Sequence, residues 1–494
     1  MACVCESIPP APSVISADAA FACESCQTSF KSRNALFRHL REHHSDDKQL
    51  DDPPSVQWEA NRQAAPVVHA KTSAAKKSKA PEKPKEQKGL QIDTRPGSYQ
   101  EELKDKAAAM QALLGSFCKL PPSATEVFES PPEHFRMRVE FDIKHTDAGP
   151  NYAMHVGKEL VVVDSYPMCC KLISEVLMPN VLKALREELV LRQSLFQINF
   201  HATLHGDAMV SLLYRTRFCR TERKQRMLEQ GEAKEAFVKA EDSKLTAEWE
   251  EAAVRLSTAL SGASIIGRTR GHKRVVGRMW VDEELQVVGA ASPLRYRQLE
   301  GFFSQSNASV CQHMLAWARA VAYADDAALG AAGPPRDDDL LELYCGNGNF
   351  CVALAPFFRQ VFATEMVKEL LDAAKQNAED NGVSNISVGR VSAEELALAM
   401  DGLRTFTRLE HVDLKSFDFK TVLVDPPRAG LGPEVAASLA RFPRIVYISC
   451  NPETLRNDLD VLCKTHDIRR LAAFDQFPYT DHLEMGILLV LRTE

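Results

Sequence analysis

The chain has 494 residues, room for two or three domains. Its 45% hydrophobic and 26% charged residues make an ordinary globular balance, and no run of about 18 or more apolar residues marks a membrane helix. The formal net charge of -7 argues weakly against nucleic-acid binding, a sum that clustered basic groups can override.

Met1 to Ala20 lacks the basic start and apolar core of a secretory signal, and the 13 cysteines are scattered. This pattern fits a reducing compartment with thiols left for zinc or catalysis. The cytoplasm is the expected location, with nucleus and mitochondrion left open. Residues 1–20, rich in Ala, Ser and Pro, read as unstructured.

Residues 21–44 follow as a compact motif: Phe21-x-Cys23-x2-Cys26-x3-Phe30-x5-Leu36-x2-His39-x3-His43. Two thiolates and two imidazoles can hold zinc in a tetrahedron. His39 and His43 lie one helical turn apart, and Phe30 and Leu36 supply the small core such a unit needs. The expected metal ligands are therefore Cys23, Cys26, His39 and His43, in a unit that resembles a C2H2 zinc finger. Residues 45–94 carry Asp46, Asp47, Asp51 and Asp52, then Pro53 and Pro54. A Lys-rich stretch from Lys76 to Lys88 follows. With few large apolar residues, this segment reads as a flexible linker.

From about Ser98 the chain reads as folded. A helix is expected over 98–115, and short alternating runs such as Phe135-Arg-Met-Arg-Val-Glu-Phe141 and Leu195-Phe-Gln-Ile-Asn-Phe200 predict strands across 135–215. A helix interrupts them over about 169–192, and residues 220–260 are charged and helical in pattern. From about 305, helices alternate with apolar strands, the rhythm of a doubly wound parallel sheet.

In that region, Asp339-Leu-Leu-Glu-Leu-Tyr-Cys-Gly-Asn-Gly-Asn-Phe350 runs an apolar strand into a turn, where Gly346 and Gly348 allow close backbone approach to a ligand. The next strand, Val361-Phe-Ala-Thr-Glu365, ends on a carboxylate suited to ribose hydroxyls. This pattern alone does not separate a nicotinamide dehydrogenase from a methyltransferase. The turn lacks the third glycine of the dinucleotide fingerprint, which favours S-adenosylmethionine.

Two further strands end in chemistry. Thr421-Val-Leu-Val-Asp425 is stopped by Pro426 and Pro427, and Arg444-Ile-Val-Tyr-Ile-Ser-Cys450 is soon followed by Pro452. Ligands of such sheets sit outside the carboxyl ends of the strands, so Tyr344, Glu365, Asp425 and Cys450 should converge. An antiparallel last strand, about Met485 to Leu491, would bring Glu484 to the same edge. A thiolate adding to carbon 6 of uracil makes carbon 5 nucleophilic, and a base must later remove the carbon 5 proton. Cys450 suits the first task and Glu484 the second. A free thiol has a pKa of about 8.5, so the site is expected to lower it. Cys345, Cys351 and Cys463 read as structural.

These stretches resemble the RNA (uracil-5-)-methyltransferases, and within them the tRNA (uracil-5-)-methyltransferases that make T-loop ribothymidine. The likeness runs from about Tyr99 to the C-terminus. It is carried by Phe135 to Phe141, Leu340 to Phe350, Val424-Asp-Pro-Pro-Arg428, Ile448-Ser-Cys-Asn-Pro-Glu-Thr-Leu455 and Phe474-Asp-Gln-Phe-Pro-Tyr479. The resemblance implies Cys450 as nucleophile and Glu484 as proton acceptor, with tRNA as partner. It implies that Gln305, Tyr344, Gly346, Asn349, Glu365 and Asp425 surround S-adenosylmethionine. It further implies that residues 95–300 form an α+β RNA-binding domain. There Arg136 and Arg138 would meet phosphates and Phe196 would stack on a base, and the target uridine would be flipped out. Residues 301–494 would form a Rossmann-like class I methyltransferase domain, an α/β doubly wound sheet.

Two segments depart from the bacterial pattern: residues 1–94, and an insertion over about 220–245. Neither an iron-sulfur cysteine cluster nor an attached oligonucleotide-binding module is evident, which favours tRNA over ribosomal RNA. The same chemistry on another RNA, and a binding protein led by the finger, stand as alternatives. So does an exocyclic-amino methyltransferase, which a covalent RNA adduct through Cys450 would exclude.

Overall fold

The computed structural model describes residues 21–22, 29–30, 90–91, 94–215, 233–269, 271–324, 329 and 335–492. The chain divides into a unit over Met1–Ala64 and a unit over Ala65–Glu494. In the first, β1 (Phe21–Ala22) and β2 (Ser29–Phe30) pair antiparallel with Phe21 opposite Phe30, where a finger hairpin is expected. Cys23, Cys26, His39 and His43 lie outside the described residues.

The second unit opens with β3 (Leu90–Gln91), α1 (Tyr99–Leu114), β4 (Thr125–Phe128), β5 (Arg138–Thr146), β6 (Gly149–Val156) and β7 (Glu159–Ser165). Next come α2 (Met178–Glu187), α3 (Leu189–Arg192), β8 (Leu195–Ala202), β9 (Ala208–Tyr214) and α4 (Ala233–Ala259). Strands β10 (Ser264–Thr269) and β11 (His272–Val276) follow, then the hairpin β12 (Trp280–Leu285) and β13 (Leu294–Leu299). The first sheet has the order β11-β10-β9-β8-β5-β6-β7-β3. Alternation works as read: Val139, Phe141 and Ile143 are buried, while Arg138, Glu140 and Asp142 point to the other face. Strand β10 runs parallel to β9, which demands a long crossover, and α4 lies within it. The helix expected over about 169–192 is interrupted. It begins with a π-helical stretch at Leu172–Leu177 and breaks where Glu188 turns extended.

The remainder is α5 (Ala308–Tyr323), β14 (Asp339–Leu343), α6 (Asn349–Leu354), β15 (Val361–Thr364), α7 (Lys368–Asp380), β16 (Ile386–Gly389) and α8 (Ala393–Met400). It closes with β17 (Phe419–Val424), α9 (Pro433–Leu439), β18 (Arg444–Ser449), α10 (Pro452–Leu462), β19 (His466–Phe474) and β20 (Glu484–Leu491). The sheet order is β16-β15-β14-β17-β18-β20-β19-β4. Strands β14 to β18 are parallel, and β20 enters antiparallel between β18 and β19. The doubly wound expectation therefore describes this half.

The boundary expected near residue 300 is less clean. Strand β4 pairs with β19 and forms the last strand of this second sheet, although it comes before the strands β5 to β11. Glu126 on β4 accepts hydrogen bonds from Trp317 Nε1 at 3.0 Å and Arg470 Nε at 2.9 Å. Pairing protects an otherwise open edge, a long-range requirement that no local pattern announces. Trp317 is fully buried and leans on β20 at Gly486, where a Cβ would meet its ring at 2.6 Å. Among the described residues, no helix is long and apolar enough to cross a membrane.

Candidate active site

Four parallel strands end one residue before a polar or reactive side chain: β14 before Tyr344, β15 before Glu365, β17 before Asp425 and β18 before Cys450. The register places all four on one edge, with Leu343 beside Thr364 and Val424, and Val424 beside Tyr447. The fifth member arrives from the opposite direction. Ser449 pairs with Met485, so one step further along the ladder sets Cys450 opposite Glu484. The two groups are thus neighbours because β20 is reversed.

The Gly turn is built for close approach. Gly346 has φ +55°, Gly348 has φ +85°, and Tyr344 itself is held at φ +63°, a strained value for a residue with a side chain. A Cβ on Gly348 would meet Ala374 at 3.2 Å. Asn377 Nδ2 donates to the Asn347 carbonyl at 2.8 Å, and Asn347 Nδ2 donates to the Arg297 carbonyl at 3.1 Å, which fixes the turn from outside. The Asn349 carbonyl accepts from Tyr296 Oη at 2.9 Å. The Glu365 carboxylate turns back, accepting from the N–H groups of Met366 at 2.6 Å and Val367 at 2.9 Å. Gln305 is buried just before α5 with its Oε1 unpartnered. A buried amide oxygen without a donor costs free energy unless a ligand supplies one. The bare glycine turn, the carboxylate after the second strand and the unpartnered Gln305 together fit an adenosine-bearing amino acid such as S-adenosylmethionine.

Loop 425–432, which carries Asp425 and Arg428, is held firmly. Asn451 Nδ2 and Thr454 Oγ1 both donate to the Arg428 carbonyl, at 3.0 and 3.1 Å. The buried Asp458 accepts from Tyr447 Oη at 2.7 Å, Leu431 N–H at 2.8 Å and Gly432 N–H at 3.2 Å. Gly430, at φ +75°, leaves room for that carboxylate. Asp458 thereby ties the loop to β18, the strand that delivers Cys450.

The electrostatics overturn one expectation. Burial pushes the Cys450 thiol up to about 12, the carboxylates of Glu484 and Asp425 add to the rise, and Arg428 opposes it. The expected lowering is absent because the thiol is half-covered and faces two acids and one cation. Burial also raises Glu484 to about 8, with Asp425 adding and Arg428 opposing, and raises Asp425 to about 7. Glu484 Oε2 has no hydrogen-bond partner. Two raised carboxyls beside a thiol at a strand edge mark this place as the candidate functional site.

Sequence reasoning did not single out Glu342, Arg428 or Asp458. Glu342 stands between leucines in β14, a strand that also begins on Asp339, and is driven well above the ordinary carboxyl range by burial, then by Asp425. Its place in an apolar run was the available signal. Cys345 and Cys351 are buried with raised thiols, in keeping with a structural role, and Cys463 is half-buried. Of the expected RNA contacts, Arg138 spends Nη1 on the Phe302 carbonyl at 2.7 Å and Ser304 Oγ at 3.1 Å. Arg136 Nε donates to the Arg138 carbonyl at 2.8 Å. Phe196 is half-buried, with the Arg215 guanidinium 5.7 Å from its ring centre.

This sheet with its reversed strand, glycine turn and strand-end acids defines an α/β methyltransferase of the S-adenosylmethionine-dependent kind. The model of the tRNA (Uracil-5-)-methyltransferase family matches residues 98–240 and 241–492, and the chain belongs to that family. It is similar to the tRNA/tmRNA (uracil-C(5))-methyltransferase of Stutzerimonas stutzeri, 43% identical over 400 residues, covering 80% of this chain and 98% of that protein. The enzyme of the same name from Azotobacter vinelandii is 44% identical with the same coverage. Among solved structures, the tRNA (uracil-54, C5)-methyltransferase of Pyrococcus abyssi, in complex with S-adenosyl-L-homocysteine, superposes with a TM-score of 0.53. It is 22% identical and covers 80% of this chain and 86% of that one, a likeness of fold.

Proposed function

We propose that this chain transfers a methyl group from S-adenosylmethionine to carbon 5 of a T-loop uridine in tRNA. The observation that carries the reading is the placement of Cys450 and Glu484 one step beyond the Ser449–Met485 pair of β18 and β20, beside a glycine turn of methyltransferase type. Family membership and the names of the bacterial relatives support tRNA as the substrate.

Gln305, Tyr344, Gly346, Asn349, Glu365 and Asp425 would hold the cofactor. When bound, it supplies an electrophilic methyl group. Cys450 adds to carbon 6 of the flipped uridine, and its proton passes to a neighbouring carboxylate. The added sulfur turns carbon 5 into an enolate nucleophile. Once carbon 5 carries the methyl group, Glu484 takes the remaining proton there. The carbon 6–sulfur bond then breaks and the double bond is restored. Phe196 stacking on a base, and Arg136 and the outer edge of Arg138 meeting phosphates, are proposed for the RNA module.

The test is label transfer from S-adenosylmethionine to unmodified tRNA. The expected product carries one methyl at carbon 5 of the T-loop uridine, and a uridine-to-cytidine tRNA at that position stays unlabelled. Label on ribosomal RNA alone would overturn the tRNA assignment.

Zinc in the N-terminal unit is a separate proposal, supported by the ligand spacing of Cys23, Cys26, His39 and His43 and by the β1–β2 hairpin between Phe21 and Phe30. One zinc per chain is expected by metal analysis, lost in Cys26→Ser. A metal-free wild-type protein would refute it.

A further inference from the structure

Near the end of β5 remote from Met137, the first sheet carries a recess of about 390 Å³. Its polar lining is His145, Arg192, Gln193, Ser194 and Arg215, with none of its lining residues acidic. We infer that this recess is a second RNA contact, gripping a backbone phosphate of the same tRNA whose uridine lies at Cys450. The inference rests on the tRNA reading and adds to it a site that the methyl-transfer chemistry does not use.

Hydrogen-bond donors converge there. Arg192 uses Nη1 on the Arg186 carbonyl at 2.8 Å, which fixes the guanidinium and leaves its other nitrogens available. His145 Nε2 donates to the Leu195 carbonyl at 2.8 Å, anchoring one wall. Ser194 is held at φ +61°, strained for a side-chain-bearing residue, and its carbonyl accepts from the Arg215 N–H at 3.0 Å. That bond ties the Arg215 backbone to the rim, and its guanidinium stands near the Phe196 ring, 5.7 Å from the centre. The nearby acid, Glu188, is taken by Arg255 Nε at 2.8 Å. Two guanidiniums, a hydroxyl and an amide without a facing carboxylate match a phosphodiester, and the aromatic ring beside them suits the attached base. The sequence continues after Arg215 with Arg217, Arg220, Arg223, Lys224 and Arg226 against the single acid Glu222, a basic run that clustering hides within the negative total.

Placement argues for the same RNA molecule. The Met137 N–H donates to the Ser306 carbonyl at 2.7 Å, so the start of β5 adjoins Gln305 of the cofactor site. His145 lies near the other end of β5, about 26 Å away at about 3.3 Å per residue. A strand of about eight stacked nucleotides covers that distance. The contact would register the tRNA body while its uridine is flipped.

Binding of the full chain to unmodified tRNA should be measured by filter retention across a series of salt concentrations. Arg192→Ala and Arg215→Ala are each expected to raise Kd about 5- to 20-fold and to lower the slope of log K against log salt by about 1. Arg192→Lys and Arg215→Lys should keep most of the slope. In turnover the loss should fall on KM for tRNA and not on kcat, and thermal melting will show that each variant is folded. Folded alanine variants with wild-type Kd and slope, in a chain that methylates tRNA normally, would overturn the inference alone. A wild-type chain that methylates no tRNA would overturn the functional reading and this inference with it.

Discussion

Cys450→Ala will bind S-adenosylmethionine as the wild type does, yet methyl transfer to tRNA will fall by at least about 10⁴-fold. The denaturation-resistant RNA–protein adduct will vanish with it. No other group at this edge replaces the thiol: Asp425 and Glu484 are acids, and Arg428 is a cation. Without sulfur on carbon 6, carbon 5 of uracil is too weak a nucleophile for a cofactor methyl group. The serine variant should be equally inactive, because a buried hydroxyl is harder to ionise than a thiol already pushed up to about 12. A thiol at that value is almost wholly protonated at pH 7 to 8, so attack and proton loss must be coupled. Asp425, near 7, is the acceptor for the thiol proton, which leaves Glu484, near 8, for the carbon 5 proton. The wild-type kcat/KM should therefore climb with pH through about 7 to 8 as these carboxyls ionise. Substantial uridine methylation by Cys450→Ala would defeat the covalent mechanism and bring back an amino-group reaction.

The part of this site that lies in contiguous strings was readable from residues alone. Tyr344, Glu365, Asp425 and Cys450 end apolar runs, and the rule that ligands sit beyond strand ends predicts their convergence. Glu484 required more, since its place depends on β20 running backwards beside β18. Three things stayed hidden because they depend on distant chain segments. Strand β4 completes the catalytic sheet from more than 340 residues before its partner β19. Asp458 reaches from α10 into loop 425–432 through hydrogen bonds whose donors are mostly backbone N–H groups. The raised Cys450 thiol comes from burial, which no motif encodes, and it reverses the shift expected of an isolated reactive cysteine. Arg138 carries a structural duty that its motif does not announce, since the fold directs Nη1 inward to Phe302 and Ser304.

Glu484→Gln will trap the reaction after sulfur addition. The amide cannot accept the carbon 5 proton, so the methylated adduct should persist on denaturing gels while turnover falls about 10³- to 10⁴-fold. The same variant should be more stable than the wild type, and the gain should depend on pH. The carboxyl titrates near 4.5 in a solvated chain and near 8 in the folded one. Between these values the folded protein retains a proton that the unfolded chain has lost. Folding is then penalised by about 1.4 kcal/mol for each pH unit crossed, until the folded carboxyl also ionises. The stabilisation by Gln is thus absent near pH 4, grows from pH 5 to 8, and levels off above 8 at a few kcal/mol. Melting curves of both proteins at pH 5, 7 and 9 read this directly. A difference in Tm that does not change with pH would mean that Glu484 is not the buried, proton-retaining carboxyl described above. A variant that turns over normally would remove it from proton abstraction. Glu484 Oε2 has no hydrogen-bond partner; in the proposed mechanism the same open atom receives the substrate's proton, which would give the destabilisation and the catalysis one physical origin.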